Sequence, residues 1–576
     1  MIRLSELKIP LAALQQHPED HSEIHPLAEL HALAAQALGV PASAIAQLHV
    51  FKRSFDARRA GVQAVYIVDV QLADPGQEVA LLAQHAQHPH IQPTPDMAWQ
   101  PPVQAPATLA ERPVVVGFGP CGIFAALVLA QMGFKPIVLE RGKAVRERTQ
   151  DTWGLWRQRQ LNPESNVQFG EGGAGTFSDG KLYSQIKDPR HLGRKVLQEF
   201  VDAGAPPEIL YAAHPHIGTF RLVKMVENMR AQIIALGGEV RFGQRVEALE
   251  LDAQRHLRAL RVRDLASGQE HVLPTRHAVL ALGHSARDSF AMLYRLGVQM
   301  QAKPFSVGFR IEHPQSVIDQ ARWGRDAGHP LLGAADYKLV YHASNGRSVY
   351  SFCMCPGGTV VAATSAPGLV VTNGMSQYSR AERNANAGFV VGIAPEDYPQ
   401  DEAALQRALG DGLGHGPQPD GQVHPLAGIA LQHQWEAQAY VLGGSNYSAP
   451  AQLVGDFLAG RPSSALGSVQ PSYRPGIALG DLSTALPSYA IAALREALPA
   501  MGRKIKGYDM PEALLTGVET RTSSPLRIDR GENFQSLNTP GLFPAGEGAG
   551  YAGGILSAGV DGIKVGEAVA RSLLGG

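Results

Sequence analysis

A glycine-rich turn between two apolar segments constrains the fold of this chain more than any other feature of its sequence. The segment "RPVVVGFGPCGIFAALVLAQMGFKPIVLERG" begins with a short apolar strand, Val114 to Val116, and continues into a GxGxxG pattern. A helical pattern follows, and then a second predicted strand, "PIVLE", that ends at Glu140. Strand, glycines, helix, strand and acid in this order predict a βαβ unit that binds a dinucleotide.

The residue types of this segment match the chemistry of a bound dinucleotide. Gly117 permits the tight turn, Gly119 lets the backbone approach a pyrophosphate, and Gly122 lets the helix pack closely on the strand. The helix N-terminus offers free N–H groups to the phosphates, and the acid at the end of the second strand would accept a hydrogen bond from a ribose hydroxyl. The residues predicted to contact the ligand here are Gly117, Gly119, Pro120, Gly122, Glu140 and Arg141.

A second glycine-rich stretch, "GEGGAGTFSDGKLYS", begins at Gly170 and has the spacing of another nucleotide site. Its "GTFSDGK" reproduces the GxxxxGK of a P-loop, but Leu182 stands where a Ser or Thr hydroxyl would hold Mg²⁺. A P-loop also follows directly from a buried strand, whereas this stretch follows the polar "NPESNVQF". We therefore interpret the stretch as part of the dinucleotide site already found.

The composition narrows the class of protein. With 576 residues the chain exceeds what one hydrophobic core usually supports, so we expect two or three domains. The 51 basic and 52 acidic residues give a net charge of −1, which argues against a protein dominated by contacts with nucleic-acid phosphates. Three cysteines without a four-ligand spacing predict neither a disulfide scaffold nor a zinc site, and we predict no metal. No apolar run is long enough for a signal peptide or a membrane span, so the expected location is cytoplasmic.

Two downstream segments indicate which dinucleotide is expected. "RHAVLALGHSARDS" is an apolar strand that ends at Gly283, and "TPGLFPAGEGAGYAGGILSAGVDGIKVGEAVARSLL" places Gly546 and Glu547 between a strand and a helix. Together with the first fingerprint, these motifs resemble the flavoproteins that have two dinucleotide-binding folds. The resemblance covers about 113–290 and 525–576, and it implies FAD as the cofactor.

The resemblance also implies roles for individual residues. In such flavoproteins the acid after the C-terminal strand binds the ribityl or pyrophosphate region; this acid is usually Asp and is Glu547 here. The helix that begins near Ile555 would point its N-terminus at the N1–C2=O edge of the flavin and stabilise the anionic reduced ring. The glycine-rich stretch would fold back over the cofactor as a second wall, and Val246 would pack on adenine. The further FAD contacts that we predict are Gly172, Gly173, Gly175, Thr176, Lys181, Val246, Gly283, Gly546, Glu547, Gly554 and Ile555.

A closer resemblance is to a bacterial group of FAD-dependent dehydrogenases. The shared stretches are "GEGGAGTFSDGKL", "KPFSVGFRIEHP", "SFCMCPGG" and "GVETRTSSPLRI". No reaction is assigned to that group, so the resemblance implies cofactor and fold and leaves the substrate open. Between residues 290 and 530 no second GxGxxG follows a strand, which disfavours a dedicated NAD(P)H domain.

We expect an α/β fold, in which a Rossmann-like FAD-binding domain carries an inserted β-rich substrate domain and a small N-terminal α/β domain. The N-terminal domain takes 1–90, where "HPLAELHALAAQALGV" predicts a helix and "QAVYIVDVQLA" a strand. A Pro-rich linker follows over 91–112. The FAD-binding domain takes 113–294 and 526–576, and the substrate domain takes 295–525 between them.

The polar run "GVETRTSSPLRI" carries the predicted catalytic residues, Glu519 and Arg521. If the run is extended the two side chains share a face, so that one would orient an anionic substrate and the other would accept a proton beside the flavin. A structural ion-pair network at the domain seam is the alternative, and it stays open. Cys353 and Cys355 are interpreted as two buried strand cysteines rather than a redox pair, and His284 as a loop residue rather than a base.

These observations predict an FAD-dependent oxidoreductase, a dehydrogenase or reductase, that transfers hydride between flavin N5 and an unidentified small substrate. The expected partners are that small molecule and, for electron supply, a transient NAD(P)H or a redox partner protein. One alternative is a flavoprotein that acts on or binds RNA through the basic cluster Lys52, Arg53, Arg58 and Arg59, which the near-zero net charge disfavours. The other alternative is a non-catalytic, flavin-bound scaffold or sensor.

Overall fold

The computed structural model describes residues 1–16, 23–58, 61–109, 111–399, 401–411, 413 and 421–575. Arg59 of the basic cluster lies outside these ranges. Among the described residues the α-helices are α1 (Leu27–Leu38), α2 (Pro75–Gln84), α3 (Pro120–Gln131), α4 (Val145–Gln158), α5 (Leu192–Asp202), α6 (Thr219–Ala235), α7 (Arg287–Arg295), α8 (Gln315–Trp323), α9 (Glu402–Leu409), α10 (Ala427–Leu442), α11 (Val454–Ala459), α12 (Ser488–Gly502) and α13 (Ile555–Leu573). The β-strands of the same residues are β1 (Ile2–Pro10), β2 (Gln15–Gln16), β3 (Glu23–Ile24), β4 (Ile45–Asp56), β5 (Gln63–Leu72), β6 (Ile91–Pro93), β7 (Val114–Val116), β8 (Ile137–Glu140), β9 (Glu239–Phe242), β10 (Gln244–Leu251), β11 (Leu257–Asp264), β12 (Glu270–Pro274), β13 (Ala278–Leu280), β14 (Met300–Ala302), β15 (Phe305–Pro314), β16 (Val340–His342), β17 (Ser348–Ala362), β18 (Thr372–Ser376), β19 (Asn384–Ile393), β20 (Ala449–Leu453), β21 (Ile477–Leu479), β22 (Leu514–Glu519), β23 (Leu526–Ile528) and β24 (Leu542–Pro544).

The N-terminal unit is an antiparallel sheet in the strand order β4-β5-β1-β6. α1 packs on this sheet through Leu30, Ala34 and Leu38, which are buried with the apolar residues of β1 and β5. α1 and β5 are the helix and the strand that the apolar spacing predicted. β6 lies at the start of the segment predicted as a linker, and its pairing with β1 brings that part of the chain into the sheet.

Between residues 94 and 109 the chain has neither helix nor strand and lies against the neighbouring unit. Trp99 Nε1 donates a hydrogen bond to Glu567 Oε1 at 2.9 Å, and the Ala105 N–H donates to the Met132 carbonyl at 2.8 Å. Trp99 and Ala105 also pack on the apolar core of that unit. Single anchor residues therefore hold this Pro-rich segment, which explains why its sequence has no regular periodicity.

The dinucleotide-binding unit is a five-stranded sheet in the order β24-β13-β7-β8-β9, and every pairing in it is parallel. β24 comes from the far end of the sequence, and α13 after it packs against α3 on one face of the sheet. The antiparallel meander β10-β11-β12 covers the other face. This arrangement confirms the predicted α/β, Rossmann-like fold, and the meander follows the strand, turn and strand expected after α6.

Alternation along these strands explains how both faces of the sheet are buried. The side chains that share a core with α3 and α13 include Val115, Val138, Val279 and Phe543. The side chains that share a core with the meander include Val114, Val116, Leu139 and Leu280. An apolar run such as "VVV" is therefore needed where a strand lies between two layers.

The inserted unit is a mixed sheet in the order β16-β17-β19-β15-β22-β20-β21, with β18 paired to β17. Its core is formed by apolar residues of β15, β17 and β19 together with α12. β15 covers most of the shared stretch "KPFSVGFRIEHP", and β17 contains the shared stretch "SFCMCPGG". The pairing of β17 with β19 is irregular between Phe352 and Cys355 and again between Cys355 and Gly358, so the regular alternation of side chains is interrupted there.

Helices that could cross a bilayer were sought over the described ranges, and none is both long enough and apolar enough.

Candidate active site

A cavity of about 510 Å³ lies between the parallel sheet and the inserted sheet. Its walls come from the segments that follow β7, β8, β13 and β24, from the glycine-rich stretch, and from β17 and the segment after β22. Open α/β sheets bind ligands outside the carboxyl ends of their strands. The cavity therefore occupies the place where this fold offers a binding site.

The GxGxxG turn follows β7 and opens α3 at one wall of the cavity. Gly117 has a φ of +99°, and a Cβ there would lie 2.3 Å from the Ala281 carbonyl oxygen, so the position requires glycine. Gly119 and Pro120 line the cavity at the N-terminus of α3. Gly122 does not line it, and a Cβ there would meet the Gly117 carbonyl oxygen at 2.0 Å. Gly122 thus serves the packing of helix on strand, and its predicted contact with the ligand stays a prediction.

Glu140 at the end of β8 ties the two glycine-rich segments together. Its Oε2 accepts a hydrogen bond from the Phe118 N–H at 2.8 Å, and its Oε1 accepts from the N–H groups of Gly142 and Gly170 at 2.8 and 3.0 Å. Glu140 also lines the cavity. Because a carboxylate has about four lone-pair sites, it can still accept a hydrogen bond from a ribose hydroxyl.

Arg141 lines the same wall, but its guanidinium is held by protein carboxylates. It pairs with Glu164 at 2.8 Å and with Asp288 at 2.8 Å, and it lies over the Phe169 ring, 4.3 Å from the centroid. These two carboxylates already neutralise the positive charge of the Arg141 guanidinium. Arg141 therefore shapes the wall more than it offers a free cation to a phosphate.

The glycine-rich stretch folds across the N-termini of α3 and α13. A Cβ on Gly173, whose φ is +59°, would lie 2.9 Å from the Gly119 Cα. A Cβ on Gly175 would lie 3.0 Å from the Ile555 side chain. Both glycines line the cavity, so close backbone approach explains their residue type at the second wall.

Gly172 and Thr176 belong to the same stretch but do not line the cavity. A Cβ on Gly172 would meet Thr176 Oγ1 at 2.0 Å and the Val226 side chain at 3.3 Å. Thr176 is buried, and its hydroxyl donates to the Glu171 carbonyl at 3.4 Å. The two residues pack towards α6, away from the lining of the cavity, and their predicted contact with the cofactor stays a prediction.

Lys181 lines the cavity and joins the glycine-rich stretch to the inserted sheet, because its Nζ donates a hydrogen bond to the Met354 carbonyl. Burial lowers the pKa of this ammonium, but nearby Cys355, Cys353 and Asp179 outweigh that effect and raise the pKa above its ordinary value. Lys181 is therefore a partly buried cation with protein partners, unlike the exposed lysine of an empty P-loop.

The C-terminal motif forms the facing wall. The predicted contacts that line the cavity here and nearby are Val246, Gly283, Gly546, Glu547, Gly554 and Ile555. Burial raises the pKa of Glu547 to about 7, and Lys303 opposes this shift. Gly554 immediately precedes α13, so the free N–H groups of that helix end lie at the cavity.

The two predicted catalytic residues do not form a pair. β22 ends at Glu519, whose carboxylate pairs with Arg310 at 3.1 Å and does not line the cavity. Burial raises the pKa of Glu519 to about 7 against the lowering effect of Arg310. Arg521 lies past the end of the strand and lines the cavity. Alternation holds only within a strand, which is why the expected shared face does not form.

Arg521 belongs to a buried ion-pair network at the seam of the two sheets. Its guanidinium binds Glu436 through Nε and Nη2 at 3.1 and 3.0 Å, and its Nη1 donates to the hydroxyls of Ser285 and Ser365 at 3.0 and 2.8 Å. Arg287 pairs with the same carboxylate at 2.8 Å. Burial raises the pKa of Glu436, but the two guanidinium groups outweigh it and bring that pKa to about 2.

Residues outside the predicted set also line the cavity. His284 follows Gly283, and burial together with Arg521 lowers its pKa to about 3, so the ring is neutral. Cys353 reaches the cavity from β17. Two of these residues could have been found from the sequence: His284 from its position directly after Gly283, and Cys353 from the shared stretch "SFCMCPGG". Tyr350 also lines the cavity, from the same strand as Cys353, but nothing in the sequence indicated it.

Comparison with known sequences connects this architecture to a cofactor. A family model described as "FAD-dependent protein, C-terminal domain-like" matches residues 304–522. Another, described as a domain of unknown function, matches residues 1–71. A protein of Clostridium beijerinckii described as an uncharacterized protein is 48% identical over 457 residues, which are 79% of this chain and 80% of that protein.

Solved structures show distant likenesses. The 3-ketosteroid-delta4-(5alpha)-dehydrogenase from Rhodococcus jostii RHA1 is 14% identical with a TM-score of 0.33, over 81% of this chain and 99% of that one. Thermovibrio ammonificans THI4 is 18% identical with a TM-score of 0.23, over 34% of this chain and 66% of that one. Likenesses at these TM-scores carry no conclusion about activity.

Proposed function

The chain belongs to the family of FAD-dependent proteins that includes its Clostridium beijerinckii relative, and we propose that it is an oxidoreductase which transfers hydride between FAD and a small molecule in the cavity. FAD is its cofactor. A dehydrogenase or reductase is the form of the reaction that we propose. The observation that supports it is the cavity itself, because both dinucleotide motifs and the inserted sheet border the same space.

The residues of the cavity fit a dinucleotide of this kind. The pyrophosphate would lie at Gly119 and the N-terminus of α3, where a Cβ-free backbone permits close approach. Glu140 would bind the adenosine ribose, and Val246 would pack on adenine. The flavin ring would lie against Gly175 and the N-terminus of α13, whose positive end favours negative charge at the ring.

The bound flavin supplies two-electron hydride chemistry, and the chain binds and orients the substrate. Two guanidinium groups, Arg521 and Arg287, share one carboxylate, Glu436, so this part of the wall keeps one net positive charge. A substrate with an anionic group would be attracted there. The neutral ring of His284 lies on the same wall and can hold or donate a proton at a nitrogen.

The sequence has no second GxGxxG after a strand between residues 290 and 530, which disfavours a separate domain for NAD(P)H. Electrons would come from the substrate, from a transient NAD(P)H or from a redox partner protein. The 510 Å³ cavity is bordered by most of the predicted FAD contacts, so a nicotinamide would bind at its open side rather than at a second Rossmann sheet.

An anaerobic titration of the FAD-loaded protein tests the proposal. NADH, NADPH and a panel of small acids are added in turn while the flavin absorption is followed, with dithionite as the chemical control. We expect at least one physiological donor to bleach the flavin. A flavin that dithionite bleaches but that no donor in the panel reduces, and that no oxidised acceptor reoxidises, contradicts the oxidoreductase proposal and favours the scaffold or sensor.

Arg521→Lys tests the role of the positive wall. Lysine keeps the charge but cannot hold Glu436 and the two serine hydroxyls at once, so an anionic substrate would be less well oriented. We expect roughly a 10-fold loss of kcat/KM for such a substrate, which corresponds to about 1.4 kcal/mol of transition-state stabilisation. The matched control is Arg461→Lys, because Arg461 is exposed and also pairs with one carboxylate. Equal effects of the two substitutions contradict an anion-binding role for Arg521.

A further inference from the structure

Two thiols meet at the cavity wall on β17. Cys353 lines the cavity, whereas Cys355 is fully buried behind it. The Cys355 Sγ donates to the Cys353 carbonyl at 3.3 Å, so the buried thiol lies beside the backbone of Cys353. Both are free thiols in this structure. Their juxtaposition contradicts the interpretation of two equivalent buried strand cysteines.

The backbone around Cys353 is held in an unusual conformation by two cations. Cys353 has a φ of +42°, a left-handed value that residues with side chains rarely adopt. Arg310, which is fully buried, donates to the carbonyls of Phe352 and Cys353 at 3.3 and 2.9 Å, and Lys181, which is partly buried, donates to the next carbonyl, that of Met354. Three successive carbonyls thus accept hydrogen bonds from cations, and such imposed conformations concentrate at functional sites.

The electrostatic environment separates the two thiols. Cys355, Arg310 and Lys181 lower the pKa of Cys353, against the effect of burial. Cys353 and burial raise the pKa of Cys355 well above its ordinary value. Of the two sulfurs, Cys353 is therefore the one that loses its proton more readily and the better nucleophile.

We propose that Cys353 and Cys355 form a redox-active pair that exchanges two electrons with the FAD of the cavity, so that small thiols or disulfides are substrates of the site. In the oxidising direction the Cys353 thiolate and the Cys355 thiol form one S–S bond and lose two electrons and one proton, which the oxidised flavin takes up. A thiolate substrate then attacks the Cys353 sulfur and breaks that bond, and Cys355 leaves and regains a proton. A second substrate thiol releases Cys353 and the substrate disulfide. This inference rests on the proposed position of the flavin.

Thiol counting on the FAD-loaded protein tests the pair without any turnover assay. The chain has three cysteines, the third being Cys121. After equilibration with reduced or oxidised dithiothreitol, removal of the reagent and unfolding, we expect three reactive thiols in the reduced protein and one in the oxidised protein. Cys353→Ser and Cys355→Ser should each show two thiols in both states. Three thiols in the oxidised wild-type protein would overturn the proposal.

Electron counting then connects the pair to the flavin. Anaerobic dithionite titration of the oxidised holoprotein should consume twice as many electrons per FAD in the wild-type protein as in Cys355→Ser, because the disulfide is a second two-electron acceptor. Cys355→Ala repeats the test if the buried serine prevents folding. Equal electron uptake with a disulfide present overturns the exchange with the flavin. Failure of the flavin to bind contradicts the proposed function, while the thiol count still reports on the pair.

Discussion

Gly173→Ala gives the sharpest test of how the two glycine-rich segments meet. Gly173 has a φ of +59°, and its new Cβ would lie 2.9 Å from the Gly119 Cα and 3.5 Å from Pro120 Cδ. Its ψ of −164° places it in a backbone region that is essentially restricted to glycine, which costs an alanine about 1 to 3 kcal/mol. Overpacking against a backbone atom adds about 1 to 3 kcal/mol, so we expect a total loss of about 2 to 6 kcal/mol in the free energy of unfolding.

Relief of the contact requires the second wall to move away from the GxGxxG turn, which opens the site. If about 1.4 kcal/mol of the overpacking is released only in the FAD-free protein, FAD affinity falls about 10-fold. The assay is FAD titration of the apoprotein by flavin fluorescence, together with urea unfolding. The matched control is Gly346→Ala, because Gly346 has a φ of +82° and a Cβ there would meet no atom of the described residues within 4 Å. Equal losses of stability in the two variants, with FAD affinity unchanged in both, would refute the close approach of the two segments.

Three further predictions concern charges at the cavity. Arg521→Met leaves Glu436 buried with one cation, so we expect a loss of about 3 to 5 kcal/mol in urea unfolding, whereas Arg461→Met at the surface should cost less than about 1 kcal/mol; similar losses would contradict the network. In the FAD-free protein the raised pKa of Glu547 means that the folded state keeps a proton which the unfolded state releases above its ordinary pKa of 4.5, so stability falls as the pH rises towards 7. Glu547→Gln should reduce that fall, as measured by unfolding on either side of this window, while the contribution of Glu519, whose pKa is also raised to about 7, remains. An unchanged pH profile would be evidence against the shift. We expect calorimetry to show no Mg-ATP binding, either to the wild-type protein or to Lys181→Met. If the wild-type protein binds ATP and the substitution abolishes that binding while FAD is retained, the P-loop interpretation is revived.

The sequence predicted the parallel sheet and most of one cavity wall because their signals are local. Apolar strands, glycines at fixed spacing and the acid at the end of the second strand all lie within about 30 residues, the length of a βαβ unit. Gly173 and Gly175 were predicted to lie at the ligand, and both line the cavity. The sequence could not show that Gly122, Gly172 and Thr176 lie away from the cavity. A glycine or threonine that is needed for packing looks the same in a sequence as one that binds a ligand.

The chemistry of the inserted sheet was less predictable because it depends on partners far apart in the sequence. Glu519 was expected beside Arg521, but its partner is Arg310 on β15, the neighbouring strand of the sheet. The orientation of Cys353 depends on an irregular pairing with β19 and on a lysine from the other unit. Sheet register and tertiary ion pairs of this kind leave no periodic trace in one sequence.

The order of strands in the parallel sheet has a consequence for the biosynthesis of the protein. β13 pairs with β7 on one side and with β24 on the other, and β24 is translated only after the whole inserted sheet. Because a ribosome releases a chain from its N-terminus, the nascent protein carries β13 as an open edge while the inserted sheet is being made. The wall formed by Gly546 and α13 is absent during that interval. The cofactor site is therefore complete only after the last strand and helix have been made, and until then β13 is an unpaired edge strand of the kind that is prone to aggregation.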